Sequence, residues 1–136
     1  MTSQMVDDVK KSLGRCLHRG DVFDTFYRIF LEQDPRIRQM FANTDWNEQK
    51  RLLRHGMNNV IAFHDDSYTA RKALERIRYT HGRDRLNIPP DLYDAWVESM
   101  VQAVRELDPE VSPALEASWR QVLGEGVAFV RAGYEE

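Results

Sequence analysis

LERIRYTHGRDRLNIPPDLYDAW, residues 74–96, is the stretch from which the fold of this 136-residue chain is read. Leu74, Ile77 and His81 recur at helical spacing, so they share one face of a helix spanning Tyr68 to Thr80. Gly82-Arg83-Asp84-Arg85 breaks that helix, and Ile88-Pro89-Pro90 opens another that carries Tyr93 and Trp96. An imidazole is thus presented at the end of a short helix, ahead of a loop and an aromatic-bearing helix.

Working outward, the period stays helical. Met5, Val9, Leu13, Cys16 and Leu17 form a stripe that stops near Gly20. Asp21 is placed to cap the next helix, whose stripe is Val22, Phe23, Phe26, Tyr27 and Phe30, and Asp34-Pro35 starts a short one ending at Phe41. Thr44 is expected to cap a long helix from about Asp45 to Phe63, and Ser67 the helix leading to His81. Pro90 is expected to start a helix running to about Leu107. Ser112-Pro113 starts the last, with Leu115, Trp119, Val122, Leu123, Val127, Phe129 and Val130. No segment alternates like a strand, so the expected class is all-α with about seven helices. Residues 1–136 fit one domain, since domains commonly hold about 100–150 residues.

Composition excludes several functions. A net charge of -3, with both signs interspersed, lacks the clustered basic face that nucleic acid calls for. Cys16 stands alone, so neither an intramolecular disulfide nor a cysteine zinc site can form. Asp7, Asp8, Lys10 and Lys11 interrupt any secretory leader, and no run approaches the roughly 20 apolar residues of a membrane span. A cytoplasmic protein with no membrane partner is expected.

Four markers in order are Tyr27, Pro35 eight residues on, Phe41 six beyond it, and His81 at the end of its helix, with Trp119 in a long terminal helix. In these the chain resembles a globin. The bacterial single-domain globins and the haem domain of flavohaemoglobins are most similar, through residues 74–81 and the downstream proline and tyrosine. The resemblance runs from about Val9 to Tyr134; the stretch from His81 to Tyr93 is longer than the bacterial pattern, and the link after Phe41 is short. It implies a globin fold packed around a haem pocket, with haem b (iron protoporphyrin) as cofactor and dioxygen or another diatomic gas as partner.

A gas-binding haem iron needs one neutral nitrogen ligand and one open position. The resemblance makes His81 the proximal ligand, and the carbonyl of Ile77 or the hydroxyl of Thr80 the group that fixes its other ring nitrogen. It points Tyr27 at the open side as a hydrogen-bond donor, wedges Phe41 against the porphyrin and packs Tyr93 behind His81. On a helical wheel Trp46, Leu53, Met57, Val60 and Ile61 share a face with Gln49, and His55 projects from the opposite one. Gln49 and Leu53 are therefore assigned to the pocket; a one-turn shift would bring Gly56 and Met57 there instead. His64 reads as packing, with a haem propionate or a sixth ligand position as alternatives, and His18 as a surface residue. Trp96 and Trp119 read as core, and Arg76, Arg78, Arg83 and Arg85 as candidates for the propionates. The resemblance implies a reversible gas binder. Two alternatives stay open: a nitric oxide dioxygenase or peroxidase-like enzyme needing a separate reductase, and a haem-free sensor or interaction module.

Overall fold

The computed structural model describes residues 3–65 and 67–136, and among these it contains seven α-helices and no strand. They are α1 (Ser3–Arg19), α2 (Val22–Phe30), α3 (Pro35–Met40), α4 (Trp46–Ala62), α5 (Tyr68–Thr80), α6 (Leu92–Leu107) and α7 (Pro113–Arg131), with a 3₁₀ turn, Phe63–Asp65, after α4.

Short polar side chains set most of the starts, because the first amides of a helix have no partner within it. Asp21 accepts from the amides of Phe23 and Asp24, Asp34 from Arg36, Ser67 from Ala70 and Ser112 from Leu115. Two boundaries differ from the sequence expectation. The cap of α4 is Asp45, not Thr44: its carboxylate accepts from the Glu48 amide at 3.3 Å. Pro90 lies in a turn before α6, where the carbonyls of Pro89 and Pro90 accept from the amides of Leu92 and Tyr93. Asp91 then occupies the cap position without capping; its carboxylate is drawn off by Arg36, 2.6 Å away.

The apolar stripes close on one core. The most extensive crossings are α2 on α6 and α1 on α7, while α4, α5 and α6 also lean on α7. At the α4–α7 contact Gly126 is required by space, since a Cβ there would sit 2.8 Å from Val60 Cγ1, on a β-branched side chain with little freedom to move. Trp119 is fully buried, yet its indole needs an acceptor. It donates to Ser12 Oγ at 2.9 Å, and Ser12 donates to Asp108 at 2.6 Å. Arg15 adds two bonds to the same carboxylate, at 2.7 and 2.9 Å. This network ties α1 to α7 and to the corner between α6 and α7. Cys16 is buried on the α1 stripe, and burial pushes its thiol up to about 11, which keeps it an unreactive packing group.

Candidate functional site

His81 is the C-terminal cap of α5. Its amide donates to the Ile77 carbonyl at 2.9 Å, which makes the ring the last side chain the helix positions before the chain turns away. The ring is half-buried, and burial holds its pKa below the ordinary histidine value, because low dielectric disfavours the charged form. Nδ1 lies 3.0 Å from the Tyr93 hydroxyl, and Nε2 has no hydrogen-bond partner among the described residues.

The expected partners of Nδ1 are corrected here. The Ile77 carbonyl is occupied by the His81 amide and by the Thr80 hydroxyl, which donates to it at 3.1 Å. Neither group bonds the ring, and Tyr93, from the start of α6, takes their place. Tyr93 is buried, which pushes its hydroxyl up to about 12 against the opposing influence of Arg131, whose guanidinium lies 5.7 Å from the ring centroid.

The loop from Gly82 to Ile88 is fixed from two sides. The amides of Leu86, Asn87 and Ile88 return to the carbonyls of Thr80, Gly82 and His81 at 3.0, 2.9 and 3.1 Å, and Asn87 adopts a left-handed φ of 54° to allow it. From outside, the C-terminal segment closes over it. The Arg83 amide donates to the Tyr134 carbonyl at 2.8 Å, the Arg83 guanidinium lies over the Tyr134 ring, and the Tyr134 hydroxyl donates to Asn87 Oδ1. Replacing Tyr134 by alanine removes the outer half of this clasp. Hydrogen exchange at the amides of Leu86, Asn87 and Ile88 is expected to speed up by about 5- to 30-fold, the equivalent of about 1–2 kcal/mol of local stability. Unchanged exchange at those three amides would show that the inner bonds hold the loop unaided.

A second group of residues gathers on α2 and α4. Tyr27 is buried, and Gln49 donates its side-chain N–H to the Tyr27 hydroxyl at 2.9 Å. Because that oxygen accepts from Gln49, the phenolic proton is left to point elsewhere. Burial pushes the hydroxyl up to about 12, with Gln49 opposing, so it stays protonated and able to donate. Phe41 packs edge-on to Tyr27 at 5.6 Å, and Trp46, more than a third exposed at 37%, packs against both. Further along α4, Leu53 and Met57 are buried, Gly56 is half-buried and His55 is exposed.

The remaining candidates separate cleanly. His64 packs against α7, with Nε2 2.7 Å from the Val122 carbonyl and Nδ1 3.1 Å from Glu125. Neither nitrogen is left for a propionate or for a sixth ligand position. Of the four arginines, Arg78 binds Glu136 and the Phe129 carbonyl, Arg83 binds Glu135, and Arg85 stacks on Tyr79. Arg76 and Arg85 both lack an ion-pair partner among the described residues, and Arg76 is the one that also has no hydrogen-bond or ring partner there. Trp96 meets Phe26 edge-on at 5.9 Å, at the edge of the core.

A helix-terminal imidazole, a tyrosine–glutamine pair on two other helices and an aromatic corner between them, on seven helices in this order, can be compared with known proteins. The family model described as Globin matches residues 24–130. The chain belongs to the globin family. Among solved structures this globin is similar to the crystal structure of protein PA3967 from Pseudomonas aeruginosa PAO1, which is described as structurally highly homologous to a human hemoglobin. The two share 36% sequence identity and a TM-score of 0.92, over 97% of this chain and 99% of that one. No curated protein sequence matches the chain. Among the described residues of this globin, no helix is long and apolar enough to cross a membrane.

Proposed function

We propose that this globin binds haem b through His81 and uses it to hold dioxygen or another diatomic gas reversibly. The carrying observation is the His81 ring itself: half-buried, with Nδ1 engaged by Tyr93 and Nε2 free of any partner among the described residues. A single imidazole is too few ligands to hold a metal ion, and no cluster of three or more His, Cys, Asp or Glu could do so among the described residues. A metal held by this imidazole would have to bring its own equatorial donors, as the haem of the globin family does. Phe41, Ile77, Ile88 and Trp96, all apolar and only partly buried, are suited to the faces and edges of such a flat group. Haem, when bound, supplies a ferrous iron that takes a diatomic ligand at its open position.

The chain's own residues then divide the work. His81 ligates through Nε2, so Nδ1 carries the proton and donates to Tyr93, which fixes the ring plane and the tautomer. Tyr27 donates its free phenolic proton to the partial negative charge that a bound gas acquires. Gln49 orients that hydroxyl by donating into its oxygen, and Leu53 with Met57 keeps the surroundings dry. Arg76 is the arginine free to meet a propionate.

Haem reconstitution followed by absorption spectroscopy tests the cofactor, with a Soret band at one haem per chain as the expected result; an unchanged haem spectrum on adding the protein would end the proposal. Tyr27→Phe tests the gas. Loss of a hydrogen bond to a charged acceptor is worth about 1.5–3 kcal/mol, so dioxygen is expected to leave about 10- to 100-fold faster while the Soret band remains. A dissociation rate equal to that of the unsubstituted protein would remove Tyr27 from the gas site.

A further inference from the structure

On α1, away from His81 and Tyr27, a depression of about 550 Å³ is lined by Lys11, Gly14, Arg15, His18, Arg19 and Pro109. Every lining residue with a titratable side chain is basic, in a chain whose net charge is -3. Among the described residues, Lys11, His18 and Arg19 form no ion pair, whereas most cations of this molecule do. Arg15 differs from its neighbours in being held from below. Its Nε and Nη2 fork onto Asp108, whose side chain is fully buried, and this leaves Nη1 with no partner among the described residues. The guanidinium is thus immobilised before any ligand arrives, which lowers the ordering cost of binding. Among the described residues, Glu110, 70% exposed and 3.6 Å from Arg15, is the one acid within ion-pair distance of the lining cations besides Asp108.

Helical spacing explains the concavity. Lys11 and His18 flank Gly14 at positions i-3 and i+4 on the same face, and a Cβ on Gly14 would meet nothing within 4 Å. The missing side chain leaves an open floor there, and Pro109 lines the depression from the link between α6 and α7.

We infer that this depression is a binding site for a small soluble anion carrying a phosphate group, held by the buttressed Arg15 with Lys11 and Arg19 completing the charge. Two or more negative charges on a compact body suit two unpaired cations and a donor fixed between them. The site is independent of haem and of the gas.

Equilibrium dialysis of the full chain against labelled pyrophosphate at about 0.15 M sodium chloride tests it, an ionic strength at which diffuse attraction is largely screened. One saturable site per chain is expected. Gly14→Leu, which fills the floor without changing charge, is expected to abolish binding, and Lys11→Glu or Arg19→Glu to weaken it about tenfold or more each, with thermal unfolding unchanged. Arg54→Glu, on exposed α4 surface, is expected to leave binding as it was. The inference is overturned by the absence of saturable binding, by binding that survives Gly14→Leu, or by equal weakening from Arg54→Glu. It is also overturned if the protein sediments with phosphatidylglycerol vesicles but ignores pyrophosphate.

Discussion

His81→Gly is expected to abolish the Soret band of the reconstituted protein, and free imidazole added to the solution is expected to restore it. The argument is one of ligand count. Loss of a group that only orients a metal ligand costs about 10- to 100-fold in affinity, so loss of the one protein ligand must exceed about 100-fold. Glycine leaves a ring-shaped space at the end of α5, and the structure indicates that the space is preserved. The backbone around it is held by bonds that do not involve the ring: the amide of residue 81 to Ile77, and its carbonyl to the Ile88 amide. Tyr93 still presents its hydroxyl to an imidazole entering from solution, at the site where Nδ1 lies 3.0 Å away. The substitution leaves that hydroxyl unpaired, at a cost of about 1–3 kcal/mol, which a folded protein of ordinary stability can absorb. Titrating the variant with imidazole while recording the Soret region makes the check. A band that persists in His81→Gly without imidazole would assign the iron to another residue.

Tyr93→Phe belongs beside that experiment in kind though not in size. It would leave Nδ1–H without its acceptor while keeping Nε2, so the ring would lose orientation rather than the bond. The two results together would separate a ligating residue from one that only positions the ligand.

How much of this was legible before the structure depends on the distance over which each feature is encoded. The helices were legible because their signals are local: an apolar stripe at 3.6-residue spacing and a short polar cap, as at Asp21, Ser67 and Ser112. The same locality explains the slip at Thr44, since two adjacent residues can both cap and only the backbone geometry selects Asp45. Tyr27 and Gln49 were assigned to one region by a wheel and a resemblance, and the structure brings them within 2.9 Å. Tyr93 was expected behind His81, but that its hydroxyl, and not Ile77 or Thr80, takes the ring nitrogen was not legible. Nothing in the sequence announces that the carbonyl of Ile77 is already occupied, or that Asn87 takes a positive φ that returns the chain so that Tyr93 reaches the ring. Least legible of all was Asp108, between Leu107 and Pro109, which belongs to no apolar stripe and caps no expected helix. Its partners Ser12 and Arg15 are 96 and 93 residues away. Pairing over such separations is a property of the packed helices and leaves no periodic trace.

Asp108 is also where the largest loss of stability is expected. Its carboxylate is fully buried and accepts from Ser12, from two nitrogens of Arg15 and from the Glu110 amide, while Ser12 in turn receives the Trp119 indole. Asp108→Ala would leave the Arg15 guanidinium partly buried without its acceptor and would break the chain from Trp119 through Ser12. Removing one partner of a buried ion pair costs about 3–5 kcal/mol, a large fraction of the total for a chain of this size. Urea unfolding at neutral pH would measure it. The pH dependence gives an independent check. Burial by itself would raise the Asp108 carboxyl, but the hydrogen bonds from Arg15, Ser12 and the Glu110 amide outweigh it and hold the group below its ordinary value. A carboxyl depressed on folding contributes stability that is present above its unfolded value and disappears as pH falls through the folded one. The unsubstituted protein and Asp108→Ala should therefore differ most at neutral pH and converge in acid. Stability curves that run parallel down to about pH 3, well under the ordinary aspartate value, would show that the carboxylate charge contributes nothing and that the loss is one of packing alone.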